Sequence, residues 1–228
     1  MDKLKTIEFA KDFRCYEAGT KFHLNDGLTL ITGENGSGKS TLVGCIRALY
    51  KKTPWTFSDI GGEDVLVNER MDKACLYIDL NMDLLRNANE MDYDNIGLQI
   101  TVMKKSAGQG AMLQLFSMMS DGTQDMVILD EPERGLSEST QFVVGKFIER
   151  YLNKNPDKQV IVNTHSTIIM EILEPYAPIL VAPSFTTVSA ARFKESCRER
   201  SARMWEAYQP LLDEEDAERA NNKANDVL

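Results

Sequence analysis

Only two histidines, His23 and His165, and four cysteines, Cys15, Cys45, Cys75 and Cys197, occur among the 228 residues. No two cysteines form a C-x-x-C pair or another metal-like spacing, so the thiols read as small buried or free groups of a reducing compartment. Positive charge is also in deficit. With 26 Lys and Arg against 35 Asp and Glu, the formal net charge is -9. That argues against a broadly basic surface gripping nucleic acid through its phosphates, though not against a local basic patch. No apolar run is long enough to span a bilayer, and the opening "MDKLKTIEFAKDF" has no apolar h-region. The expected place is therefore the cytoplasm, without membrane insertion. Pro/Gly/Ser-rich linkers, low-complexity stretches and internal repeats are missing, which leaves one large domain as the default for this length. Long heptad segments, an N-K-x-D guanine motif and an evident nuclease domain are likewise absent.

What is present is a recurrence of short β-rich runs that lead into polar loops. "LTLIT" (28–32), "MVILD" (126–130), "QVIVNTH" (159–165) and "PILVAP" (178–183) are continuous apolar runs bounded by turn signals. Interleaved with helices, such runs suit a parallel sheet covered on both faces, and the fold class is α/β. After Gly38, helical spacing puts Leu42, Ile46 and Leu49 on one face. After Ser139 the same spacing selects Val143, Val144, Phe147, Ile148 and Tyr151. Residues from about 52 to 105 read as an insertion of mixed character holding two strands, "ACLYIDL" and "IGLQITVM". The segment from "TVSAARF" to "QPLL" reads as helix, and 213–228 as an acidic flexible tail, so the expected domain is 1–212.

Three motifs carry chemistry. "GENGSGKST" (33–41) satisfies G-x-x-x-x-G-K-[ST] between a predicted strand and a predicted helix. Gly33, Gly36 and Gly38 let successive N–H groups face a phosphate, Lys39 neutralises the β/γ-phosphates, and Ser40 offers a hydroxyl to Mg²⁺. "MVILDEPERGLS" puts Asp130 at the end of an apolar strand, where it suits Mg²⁺ binding, and Glu131 where it can orient or deprotonate water. "VNTHST" puts His165 after a strand expected beside that of Asp130, within reach of a γ-phosphate; Ser166 or Thr167 can cap the next helix. His23 has no such support and reads as structural. A weaker feature, "KKSAGQGAML", opens a helix at Ser106 with Gly108 and Gln109. It is either plain capping or an anion site aimed at a second subunit's nucleotide.

In chain order, "GENGSGKST", "SAGQG", "LDEPERGLS" and "NTHS" resemble the Walker A, signature, Walker B with D-loop, and switch-histidine motifs of ABC-type ATPases, over about residues 1–185. "DEPE..LS" followed by "THS" is similar to the soluble branch containing SMC, RecF and small bacterial or phage ATPases; transport subunits more typically carry LSGGQ, DEPTSALD and THD. The resemblance implies a three-layer P-loop NTPase with a mostly parallel central sheet, N-terminal antiparallel β elements and an inserted signature subdomain. It implies ATP and Mg²⁺ held by Gly33, Asn35, Gly36, Ser37, Gly38, Lys39, Ser40 and Thr41, with Asp130 as a second metal ligand. Glu131, Lys39 and His165 become the catalytic set, with Glu131 as base. Ser106, Gly108 and Gln109 become contacts to the nucleotide of the opposite subunit in an ATP-dependent homodimer, and 135–137 would cross its interface. Asn81 and Gln99 compete for the Q-loop position, and Phe13, Tyr16 and Phe22 for adenine stacking. The functional reading is an ATPase switch or motor acting on an unidentified protein or DNA, with DNA repair, phage biology and defence as the candidate settings. The rivals are an ATP-gated scaffold with negligible turnover and a transporter nucleotide-binding subunit.

Overall fold

The computed structural model describes residues 3–52, 65–79, 112, 115–117, 119 and 123–225. The signature stretch with Ser106, Gly108 and Gln109, together with Asn81 and Gln99, lies outside the described residues. The chain divides into two units, Met1–Ser189 and Ala190–Leu228.

In the first unit, β1 (Thr6–Glu8) and β2 (Lys21–His23) pair antiparallel, as expected for the N-terminal β elements. The main sheet contains β3 (Leu28–Thr32), β4 (Tyr50–Lys52), β5 (Met71–Asp79), β6 (Met126–Asp130), β7 (Gln159–Asn163), β8 (Ile179–Val181) and β9 (Thr186–Val188). Its order is β4-β5-β6-β7-β3-β8-β9, parallel throughout except for the β8–β9 edge. β3, β6 and β7 are buried at every residue, which is why they read as continuous apolar runs rather than alternating ones. β5 falls inside the segment read as an insertion, yet it pairs with β6 from Cys75↔Met126 to Asp79↔Asp130 and so belongs to the main sheet.

Helix α1 (Lys39–Ala48) buries Leu42, Val43, Cys45 and Ile46 completely. These residues share one cluster with Ile31, Met126, Ile128 and Ile161 of the sheet and with Ile7, Phe9, Tyr16 and Phe22 of the N-terminal β layer. The phosphate-loop helix is therefore held between two β layers. Alternate strand residues Leu30, Val127, Leu129, Val160 and Val162 are equally buried on the other face. Helices α2 (Glu138–Lys154) and α3 (Thr167–Leu173) pack on each other. They approach closely at Gly145, where an added Cβ would lie 2.7 Å from Ile172 Cδ1. On α2, Val144, Ile148 and Tyr151 form the buried i, i+4, i+7 stripe. Val143, expected on that face, is 43% exposed because it sits one residue round the helix from the stripe.

The second unit is one helix, α4 (Ala190–Asn225). It passes through Pro210 and continues across 213–225, which the sequence reading assigned to a flexible tail. Glu and Ala, strong helix formers, supply six of the thirteen residues of that stretch. Among the cysteines, Cys45 and Cys75 are buried, Cys15 is exposed, and all four are free thiols.

Candidate nucleotide site

The site forms where β3, β6 and β7 end side by side. Gly38 is the N-cap of α1 at φ 90° and supplies no side-chain cap, so the first N–H groups of the helix are left for a ligand. A Cβ at Gly38 would collide with Cys15 Sγ and lie 2.9 Å from the Tyr16 hydroxyl. At Gly33, φ 145°, it would come within 2.8 Å of Ala182 O and 2.9 Å of Ser37 Oγ. Only glycine fits either place. Tyr16 fixes the loop from below: its hydroxyl donates to Gly38 O at 3.0 Å, and its ring stacks on Phe9 with centroids 4.6 Å apart.

Lys39 Nζ donates to Gly33 O (3.1 Å) and Glu34 O (2.8 Å), folding back over the loop. Burial depresses its pKa, against the opposing pull of Glu131, Asp130, Glu34 and Glu133. An anion placed in the loop would relieve that burial cost by pairing with the ammonium group. Ser40 Oγ lies 3.4 Å from Asp130 Oδ1. Asp130 also accepts from Asn163 Nδ2 and, at 2.8 Å on Oδ2, from the Tyr77 hydroxyl. The Arg47 guanidinium stands 5.1 Å over the Tyr77 ring. The Asp79↔Asp130↔Asn163 register makes this arrangement possible, because it brings the ends of β5, β6 and β7 level.

Glu131 adopts φ 51°, a left-handed conformation uncommon for a residue with a side chain. Its carboxylate lies 3.5 Å from His165 Nε2 on one side and 3.5 Å from Arg134 Nη1 on the other. The histidine contact is not a hydrogen bond, and the buried Nε2 has no hydrogen-bond partner among the described residues. Ser37 Oγ is orphaned in the same way. Ser37 lies in the phosphate loop and His165 beside Glu131 of the cleft wall, and both groups are of the kind a polyphosphate would satisfy. The loop carrying His165 is fixed by Glu133, whose carboxylate accepts the Thr164 hydroxyl at 2.7 Å and the His165 backbone N–H at 2.6 Å. Burial raises the pKa of Glu133, and these hydrogen bonds partly offset the rise. Ser166, not His165, caps α3, accepting from Ile169 N at 3.2 Å.

The open cleft above the loop has a volume of about 260 Å³ and is lined by Arg14, Cys15, Asn35, Gly36, Gly38, Lys39, Ser40, Thr41 and Glu131. Sequence reasoning did not single out Arg14, Cys15, Tyr77 or Glu133. Arg14 Nη1 reaches Thr41 Oγ1 at 3.2 Å. Two of the aromatic residues considered for base stacking, Tyr16 and Phe22, are buried in the core, and Phe13 packs against it.

The family model described as "AAA domain" matches residues 10–226. The chain belongs to the AAA domain family. This AAA domain is similar to the Probable peptide export ATP-binding protein YydI of Bacillus subtilis (strain 168), at 25% identity over 172 residues, covering 68% of this chain and 78% of YydI. Its fold matches the ATP-binding cassette MJ0796, solved as a dimer in a post-hydrolysis state bound to ADP and Pi (TM-score 0.51, 16% identity, 78% of this chain and 93% of that one). It also matches the SMC head domain from Thermotoga maritima (TM-score 0.50, 17% identity, 83% and 97%). The fold is thus that of ABC and SMC-type P-loop ATPases, as the motifs implied. Among the described residues no helix is long and apolar enough to cross a membrane.

The donor set fits Mg²⁺. One hydroxyl and one carboxylate, Ser40 and Asp130, face each other beside the phosphate loop. No cluster of three or more His, Cys, Asp or Glu competes among the described residues. This suits a small, hard cation that relies on phosphate and water for its remaining ligands.

Proposed function

We propose that this AAA domain binds Mg-ATP and hydrolyses it to ADP and phosphate, using the cycle as a switch or motor for a partner protein or DNA. The observation that supports this most is that Lys39, Ser40 and Glu131 line one cleft, with Asp130 against Ser40 and the His165 Nε2, which makes no hydrogen bond among the described residues, beside Glu131.

In this reading the N–H groups of residues 33–41 and the Lys39 ammonium hold the β/γ-phosphates, with Asn35, Ser37 and Thr41 completing the cradle. Ser40 and Asp130 would hold Mg²⁺, which when bound neutralises phosphate charge. Glu131 accepts a proton from the attacking water, and His165 donates through Nε2 to the γ-phosphate. The strained Glu131 backbone and the Glu133 clamp fix the positions of base and histidine before substrate arrives, so positioning supplies much of the catalysis. Ser106, Gly108 and Gln109 of a second copy complete each site in a head-to-tail pair. Because Ser106 lies on the opposite subunit in this reading, Ser106→Arg keeps ATP binding within a few-fold by calorimetry but abolishes ATP-driven dimerisation and hydrolysis. A Ser106→Arg protein with normal turnover would remove the composite site from the proposal.

A second reading, the energy-coupling subunit of an exporter, draws on the likeness to YydI. Retention of an integral membrane protein by the ATP-trapped Glu131→Gln variant would favour it; retention of DNA or another non-membrane partner would favour the first.

A further inference from the structure

Helix α4 carries a feature that ATP hydrolysis does not use. Every residue from Ser201 to Glu215 is exposed, and these include Met204 (59%), Trp205 (59%), Tyr208 (56%), Leu211 (59%) and Leu212 (45%). At 3.6 residues per turn these five side chains fall within an arc of about 120°. A solvated stripe of this size on a single helix is costly, because helical segments in proteins gain most of their stability from packing such a face. Pro210 adds to the cost by removing one backbone hydrogen bond inside the stripe.

Charge identifies what covers the stripe. Residues 190–203 carry five basic side chains, Arg192, Lys194, Arg198, Arg200 and Arg203, against two acidic ones. From 204 to 218 there are six acidic residues and no basic one. The stripe from Met204 to Leu212 is centred on Tyr208. In an antiparallel pair with its two-fold axis at that point, each residue faces the one equally far on the other side of Tyr208. Trp205 then meets Leu211, Met204 meets Leu212, and the basic segment 198–203 meets the acidic segment 213–218. Parallel pairing would set like charges against each other, and an anionic membrane would repel the acidic half.

We propose that α4 is a self-association surface on which a second copy of this chain docks antiparallel, centred on Tyr208, without nucleotide. The contact is isologous, so the same patch serves both copies. It is separate from the ATP-dependent pairing proposed above, and a test in EDTA without nucleotide keeps the two apart.

The test is sedimentation velocity of the full chain over a micromolar range, with two charge-reversed variants. One carries Arg198→Glu, Arg200→Glu and Arg203→Glu; the other carries Asp213→Arg, Asp216→Arg and Glu218→Arg, the residues that face them in this register. The wild type is expected to dimerise, each variant alone to weaken the dimer at least ~100-fold, and the two mixed to form a heterodimer. Restoration on mixing shows that both variants are folded. Trp205→Ser with Tyr208→Ser should also give a monomer. A monomeric wild type, or a dimer indifferent to both reversals, overturns the proposal. So does a monomer that co-sediments with phosphatidylglycerol vesicles through Trp205, which would assign the stripe to a membrane surface.

Discussion

Glu133→Ala should separate a positioned histidine from one that merely happens to lie near the cleft. Glu133 holds two donors, Thr164 Oγ1 at 2.7 Å and His165 N at 2.6 Å. Hydrogen bonds to a charged acceptor are each worth about 1.5–3 kcal/mol, and the alanine variant leaves both donors unpaired. Losing the carboxylate also relieves the burial cost that raises its pKa, so the net destabilisation is about 2 kcal/mol. In a chain of this size that is a fall of roughly 4–8 °C in Tm. Displacing the His165 loop should lower kcat by about 10–100-fold, while KM for ATP, set by the phosphate loop, stays within a few-fold. Thermal denaturation and steady-state phosphate release measure the two effects.

Glu133→Gln adds a pH test. Burial lifts the Glu133 carboxyl above its ordinary 4.5, so the native state binds that proton more tightly than the unfolded chain does. The resulting stabilisation is complete below the unfolded pKa and is lost as pH rises through the native one. Wild type should therefore gain stability relative to Glu133→Gln as pH is lowered from neutral towards 4.5. If Glu133→Ala kept wild-type Tm and kcat, or the pH trend ran the other way, the reasoning about the clamp would be refuted.

Two further outcomes bear on the site. Tyr77→Phe removes the donor at 2.8 Å from Asp130 Oδ2, so the Mg²⁺ concentration giving half-maximal activity should rise about tenfold with KM for ATP little changed; an unchanged Mg²⁺ dependence would leave Tyr77 a packing residue. In a Cys197→Ser background, a maleimide should modify Cys15, which is exposed on the cleft, and not Cys45 or Cys75, whose thiols burial pushes up to about 11 and about 12. ATP should protect Cys15, and equal labelling with and without ATP would place the nucleotide elsewhere.

The parts of the fold read correctly from sequence were those whose signal is local. β3, β6 and β7 lie buried on both faces, and the phosphate loop needs glycines at fixed intervals, so both leave a pattern within a few residues. Asp130 and Glu131 lie near Lys39, and His165 beside Glu131, because parallel strands end at the same edge. Tyr77 and Glu133 were missed because their roles arise across strands, 53 and 31 residues from the partners they hold. Asn163 stood inside a quoted motif, yet only the Asp130↔Asn163 register gives its amide a purpose. Arg14 and Cys15 lie in a loop of the N-terminal β layer, with no periodicity pointing to the cleft. Beyond 212 the acidic stretch continues the helix to Asn225, a propensity that charge alone does not reveal.

In the proposed function, Glu131 makes this AAA domain a hydrolase. Phosphate release from Mg-ATP, compared between wild type and Glu131→Gln at matched ATP occupancy, tests it most directly. The wild type should turn over ATP and the variant should release phosphate at least ~100-fold more slowly, with ATP binding retained. Equal rates in the two proteins would contradict it and leave an ATP-gated scaffold.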